Sequence, residues 1–82
     1  MPSVARRREE DEAIAAAFGR RLREVRLQRE LTQERLAEAA GVHPTFVSNL
    51  ERGYRVPTLV TLIRMADALE MRLPELLERV EP

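Results

Sequence analysis

Thr32, Gly41, Pro44, Gly53 and Pro57 punctuate the middle of this sequence so closely that only short segments fit between them. Each segment carries apolar residues three or four positions apart, the spacing of one helical face, which predicts short helices joined by tight turns. Thr32 is a good N-cap, because its hydroxyl can accept a backbone N–H two or three residues on, and Glu34 suits the positive end of the following helix. Gly41 sits where a left-handed residue ends a helix at little cost. Pro44 fits a first helical turn, where its missing N–H has no partner anyway. These signals predict a helix over residues 33–40, a sharp turn, and a second helix from His43 or Pro44 to Glu51.

Ile14, Phe18, Leu22 and Val25 form one stripe at steps of four, four and three, predicting a first helix over residues 11–28, with Leu31 folding back onto the same core. Residues 1–10 hold a charge run without apolar periodicity and read as a flexible N-terminal arm. After a loop from Arg52 to Pro57, Thr58 caps a fourth helix whose stripe is Leu59, Leu62, Ile63, Ala66 and Leu69. Pro74 opens a short fifth helix with Leu73, Leu76, Leu77 and Val80. Residues 11–82 thus form a single all-α domain, and at 82 residues in total the chain has room for no second one.

Several function classes are excluded at this stage. No apolar stretch approaches the ~20 residues needed to span a bilayer, and the arginines at 6, 7 and 8 run straight into acids rather than into a signal-peptide core. The chain is expected to stay in the cytoplasm, away from membranes. There is no cysteine and one histidine, so neither disulfides nor a zinc site are expected. Paired carboxylates in a pocket, a Ser/His/Asp arrangement and a Gly-rich phosphate loop are all missing, so the chain does not read as an enzyme and needs no cofactor. The net charge is zero, but its distribution is uneven. Residues 20–55 hold eight arginines against five acids, a local +3, and residues 65–82 hold two against five, a local −3. A basic middle beside an acidic tail would orient the molecule in the field of a phosphate backbone, although two ordinary solvated surfaces would read the same way.

The helix, Gly turn and helix over residues 32–53 read as a helix-turn-helix in which small Ala37 allows close packing. Leu36, Ala37, Ala40, Val47 and Leu50 face inward, which leaves the polar side of the second helix free for a DNA major groove. In Phe18-Gly19, Leu22-Arg23, Leu31-Thr32-Gln33-Glu34, Ala40-Gly41-Val42, Glu51-Arg52-Gly53, Pro57 and Ala66-Asp67-Ala68-Leu69, the chain resembles the Cro/phage-repressor class of helix-turn-helix regulators, the xenobiotic-response-element family. The resemblance implies a five-helix, lambda-repressor-like fold and a transcriptional regulator that binds operator DNA. In length it is also similar to the controller proteins of restriction-modification systems.

The resemblance further implies site residues. Gln33 matches a position that touches a phosphate or base edge. Thr45, Ser48 and Asn49, on the outer face, match base readers: Asn suits adenine, Ser and Thr either kind of edge, and a Thr methyl packs on thymine. Phe46 either meets a thymine methyl or sugar or is a rim residue of the core. His43 is expected to cap the helix or neighbour a phosphate, and Pro44 cannot hydrogen-bond a base, which weighs against strong guanine readout there. Arg52 and Arg55 lie where the family's loop approaches the backbone. Arg26 and Glu51 match an internal ion pair joining the first and third helices. Arg35 stands where a Glu would complete a capping box, and Glu70 where a Gly would follow the fourth helix.

A monomer reaches only one half-site, so a homodimer on a palindromic operator in double-stranded DNA is expected, with no small-molecule effector indicated. Leu59, Val60, Met71, Leu73, Leu76 and Val80 are candidates for the interface, or else complete the core. The competing reading is a protein-interaction module, an antitoxin or adaptor using the same fold.

Overall fold

The computed structural model describes residues 3–82, in which five helices follow one another: α1 (Val4–Gln28), α2 (Gln33–Ala40), α3 (Pro44–Glu51), α4 (Leu59–Ala68) and α5 (Leu73–Leu76). Helices α2 and α4 start at the predicted caps. The hydroxyl of Thr32 accepts the Arg35 N–H at 3.0 Å, and that of Thr58 accepts the Thr61 N–H at 3.1 Å. Gly41 ends α2 in the left-handed region at φ 71°. Glu70 takes the same region at φ 55° after α4, so an ordinary side chain there carries left-handed strain.

The first helix starts at Val4 rather than near residue 11, because Ser3 caps it and the Arg6 and Glu10 side chains pair along one face. Part of the expected arm, Met1 and Pro2, lies outside the described residues, and Val4–Glu9 form an exposed helical extension. A helix of 25 residues is about 37 Å long, which accounts for the 40 Å long axis of the molecule.

One core joins Phe18, Leu22 and Val25 of α1 to Leu36, Ala37 and Ala40 of α2, Val47 and Leu50 of α3, Met65 and Ala66 of α4, and Leu69 and Leu76 beyond. Helix α2 touches both α3 and α4, while α1 lies against α3 and α5. Three expected core positions are corrected. Ile14, Leu59 and Ile63 are exposed, and Ala15 and Met65 are buried instead. In α4 the buried arc runs through Leu62, Met65, Ala66 and Leu69, and Ile63 falls about 100° of helical rotation from Leu62.

Arginines from α1 close the open carbonyl ends of the later helices. Arg29 Nε donates to the Leu69 carbonyl at 2.8 Å, and Arg21 donates to the carbonyls of Glu75 at 2.8 Å and Leu76 at 3.3 Å. These bonds satisfy acceptors that a helix leaves unpaired at its C-terminus. An apolar groove of about 510 Å³ remains between α1 and the loop before α4, lined by Ile14, Phe18, Val56, Leu62, Leu77 and Val80 among others.

Gly19 sets how closely α1 and α3 approach. A Cβ there would stand 2.5 Å from the carbonyl oxygens of Leu50 and Glu51, and backbone atoms cannot swing aside as a side-chain tip can. Gly19→Ala should therefore destabilise the fold by ~3 kcal/mol, read as a lower urea midpoint at unchanged slope; an unaltered midpoint would show that this approach is not fixed by Gly19. Glu70→Gly should raise stability by up to about 1 kcal/mol by removing left-handed strain.

Candidate nucleic-acid interface

The turn between α2 and α3 is tied by backbone bonds. The Val42 N–H reaches the Ala37 carbonyl at 2.9 Å and that of Gly41 the Glu38 carbonyl at 3.3 Å. Ala37, Val47 and Leu50 are completely buried, so the small side chain on α2 lets α3 seat its apolar face directly on the core. His43 caps α3: its Nδ1 accepts the Thr45 N–H at 3.1 Å, and Pro44 occupies the first turn. The opposite side of α3 is left to solvent. Thr45 is exposed, Ser48 and Asn49 are half-buried, and the three side chains make no hydrogen bond within the described residues. Phe46 packs against the core edge while keeping part of its ring in water.

Glu51 closes this unit from behind. Its carboxylate, 3 % exposed, accepts Arg26 Nε at 2.6 Å, Arg26 Nη2 at 3.0 Å and Gln33 Nε2 at 3.1 Å. Arg26 Nη1 also donates to the Leu31 carbonyl at 2.8 Å, so one guanidinium fixes α1, the connector before α2 and the end of α3. The expected ion pair is present as a forked, two-bond contact. The hydrogen bond that Arg26 donates to Glu51 holds the Arg26 pKa above the usual arginine range, outweighing the opposing effect of burial. A raised folded-state value means its share of stability is complete below the unfolded value and lost only as pH rises through the folded one. That window is strongly alkaline, so this arginine adds no pH dependence near neutrality.

Gln33 thus has one amide hydrogen engaged by Glu51 and is half-buried, its place beside the end of α3 fixed by that bond. Arg52 and Arg55 are exposed in the loop after α3, the Arg52 guanidinium lying over the Tyr54 ring at 5.8 Å from its centre. Two residues here were not singled out from the sequence. Tyr54 is 71 % exposed, and Arg23 reaches to 3.9 Å from Glu51 Oε1 while remaining largely solvated. Arg23 was legible in principle, three residues before Arg26 and so on the same helical face.

The six interface candidates divide. Leu59 and Val60 stand exposed on α4 at 65 % and 59 %, and Ile63 extends their patch. Met71, Leu73 and Val80 are half-buried against the core. Leu76 is fully enclosed in the protomer and has no surface to offer a partner, because α5 is a single turn folded inward.

Comparison with known proteins places this geometry. A helix-turn-helix family model, HTH_3, matches residues 22–76. The control protein C.SmaI of Serratia marcescens is 49 % identical over 49 residues, 60 % of this chain and 58 % of that protein, so the match spans somewhat over half of the relative. The control protein C.BamHI of Bacillus amyloliquefaciens is 33 % identical over 66 residues, 79 % of this chain and 82 % of its own. Among solved structures, the restriction-modification controller protein C.AhdI from Aeromonas hydrophila superposes with a TM-score of 0.74 at 40 % identity, covering 76 % of this chain and 94 % of that one.

Removing one partner of the buried pair should be costly. Glu51→Ala is expected to destabilise the protein by about 3–5 kcal/mol, and joint replacement Arg26→Met with Glu51→Leu to recover most of that loss. Urea unfolding of the parent and both variants checks this; a Glu51→Ala variant as stable as the parent would mean that the charge on Arg26 is reached by water.

Proposed function

This chain belongs to the helix-turn-helix family HTH_3, and from that membership we propose that it regulates transcription by binding operator DNA as a homodimer, one α3 in each of two successive major grooves. It is a DNA-binding regulator rather than an enzyme. The observation that carries the reading is the two-sidedness of α3: Val47 and Leu50 are wholly buried, and the side chains of Thr45, Ser48 and Asn49 on the other side make no hydrogen bond among the described residues. The major groove is wide enough to admit such a helix. Gln33, His43, Arg52 and Arg55 surround it as contacts to phosphates, which set register, while the outer face of α3 reads bases. The relatives named as control proteins support a controller of restriction-modification genes.

The dimer is supported by the patch of Leu59, Val60 and Ile63 on α4, three apolar side chains that their own protomer leaves exposed. A two-fold dimer would present two half-sites about 34 Å apart, the spacing of a palindromic operator. Residues 1–10 remain, in this proposal, an arm outside the DNA-reading unit.

Three measurements test this. Sequences selected from random duplex DNA should contain an inverted repeat, and enrichment of single, unrepeated sites would remove the dimeric reader. Val60→Glu should shift sedimentation from dimer to monomer without loss of helical signal; a parent already monomeric at tens of micromolar would rule out the dimer. Arg52→Ala and Arg55→Ala should each flatten the slope of log affinity against log salt by ~0.9, and unchanged slopes would take these arginines off the phosphate backbone.

A further inference from the structure

We propose that α3 is built to read A·T and not G·C base pairs: Asn49 takes adenine, and the methyl of Thr45 with the exposed part of Phe46 takes the thymine C5-methyl group. This rests on the DNA-reading role of α3 given above and goes beyond it by naming the bases.

The argument is one of elimination among the groups that the helix presents. In the major groove guanine shows two acceptors, O6 and N7, and a single side chain takes both only through the paired donors of Arg or Lys. Residues 44–51 contain neither. His43, whose Nδ1 accepts the Thr45 N–H, keeps a single donor at Nε2 and so cannot take both acceptors, and Pro44 carries no donor. Cytosine shows a donor, N4, which a free carboxylate would accept. The one carboxylate of α3, Glu51, is instead buried and occupied by Arg26 and Gln33. Arg52 follows the helix as its C-cap and lies over Tyr54, outside the run of residues facing the base edges.

What remains is a side chain with one donor and one acceptor side by side, flanked by apolar groups. The Asn49 amide matches adenine, whose N7 accepts and whose N6 donates, and no other base offers that pair. Thr45 is exposed, and part of the Phe46 ring is in water. Both are three or four residues from Asn49 and so lie on its side of the helix. The thymine methyl is the only apolar group a base pair shows in that groove. The Ser48 hydroxyl bonds either kind of edge and does not decide between them.

The test begins with a duplex selected from random sequence, in which the bases under α3 should be adenine and thymine. Replacing the contacted adenine by 7-deazaadenine, which lacks only N7, should weaken binding of the parent about tenfold and leave Asn49→Ala unaffected. Replacing the contacted thymine by uracil, which lacks only the methyl, should weaken binding roughly fourfold, an effect that Thr45→Ser, which keeps the hydroxyl, should reduce. Circular dichroism checks that both variants fold. A selected half-site with guanine at these positions, or tight binding indifferent to both analogues, would overturn the A·T assignment and leave operator binding standing. Failure of the parent to bind any duplex would remove the DNA-reading role itself and this inference with it.

Discussion

The contact on which the arrangement depends is the forked pair between Arg26 and Glu51. It bonds the long first helix to the last residue of α3, and through Gln33 and the Leu31 carbonyl it also fixes where α2 begins. Apolar contacts alone would hold α3 against the core but would leave its rotation and tilt loosely set, because they have little directionality. Hydrogen bonds between planar, charged groups do have direction. Burial makes the pair costly to break and of modest net worth compared with an apolar substitute, so its effect is chiefly on geometry. Gly19 adds a second restraint, since the α1 backbone meets the carbonyls that end α3 without an intervening side chain.

That geometry changes the meaning of the charge distribution. Of the eight arginines in residues 20–55, three are bonded to distant parts of the protein itself: Arg26 to Glu51, and Arg21 and Arg29 to the carbonyl ends of α5 and α4. The field available to phosphates comes from the remaining solvated arginines, with Arg52 and Arg55 next to α3. A count of charges along the chain therefore overstates the basic surface. The absence of lysine becomes intelligible at Arg21 and Arg26, where the fixed donors of a guanidinium serve two partners at once.

Legibility in the sequence followed the range of the forces involved. Helices α2 and α3 were readable to within a residue because their ends depend on local chemistry, namely the Thr32 hydroxyl, the left-handed Gly41 and the N-terminal Pro44. The start of α1 was not, since its extension is held by a serine cap and an exposed charge pair rather than by any apolar stripe. Ile14, Leu59 and Ile63 were misplaced because apolar spacing gives a helix's stripe only to within a residue or two, and the partner helix decides which edge is covered. Resemblance of the motifs to a known family supplied the ion pair and the candidate contacts. It did not supply the occupation of Glu51 by Gln33, or the use of Arg21 and Arg29 as helix-end donors.

The bond-free outer face of α3 also bears on how such proteins diversify. The side chains of Thr45, Ser48 and Asn49 make no hydrogen bond among the described residues, so they can be exchanged without breaking a cap or the ion pair. Evolution can then rewrite the address while the chassis stays constant. Two copies of the gene in one cell could part company on a handful of codons, each acquiring its own set of promoters before either had to refold.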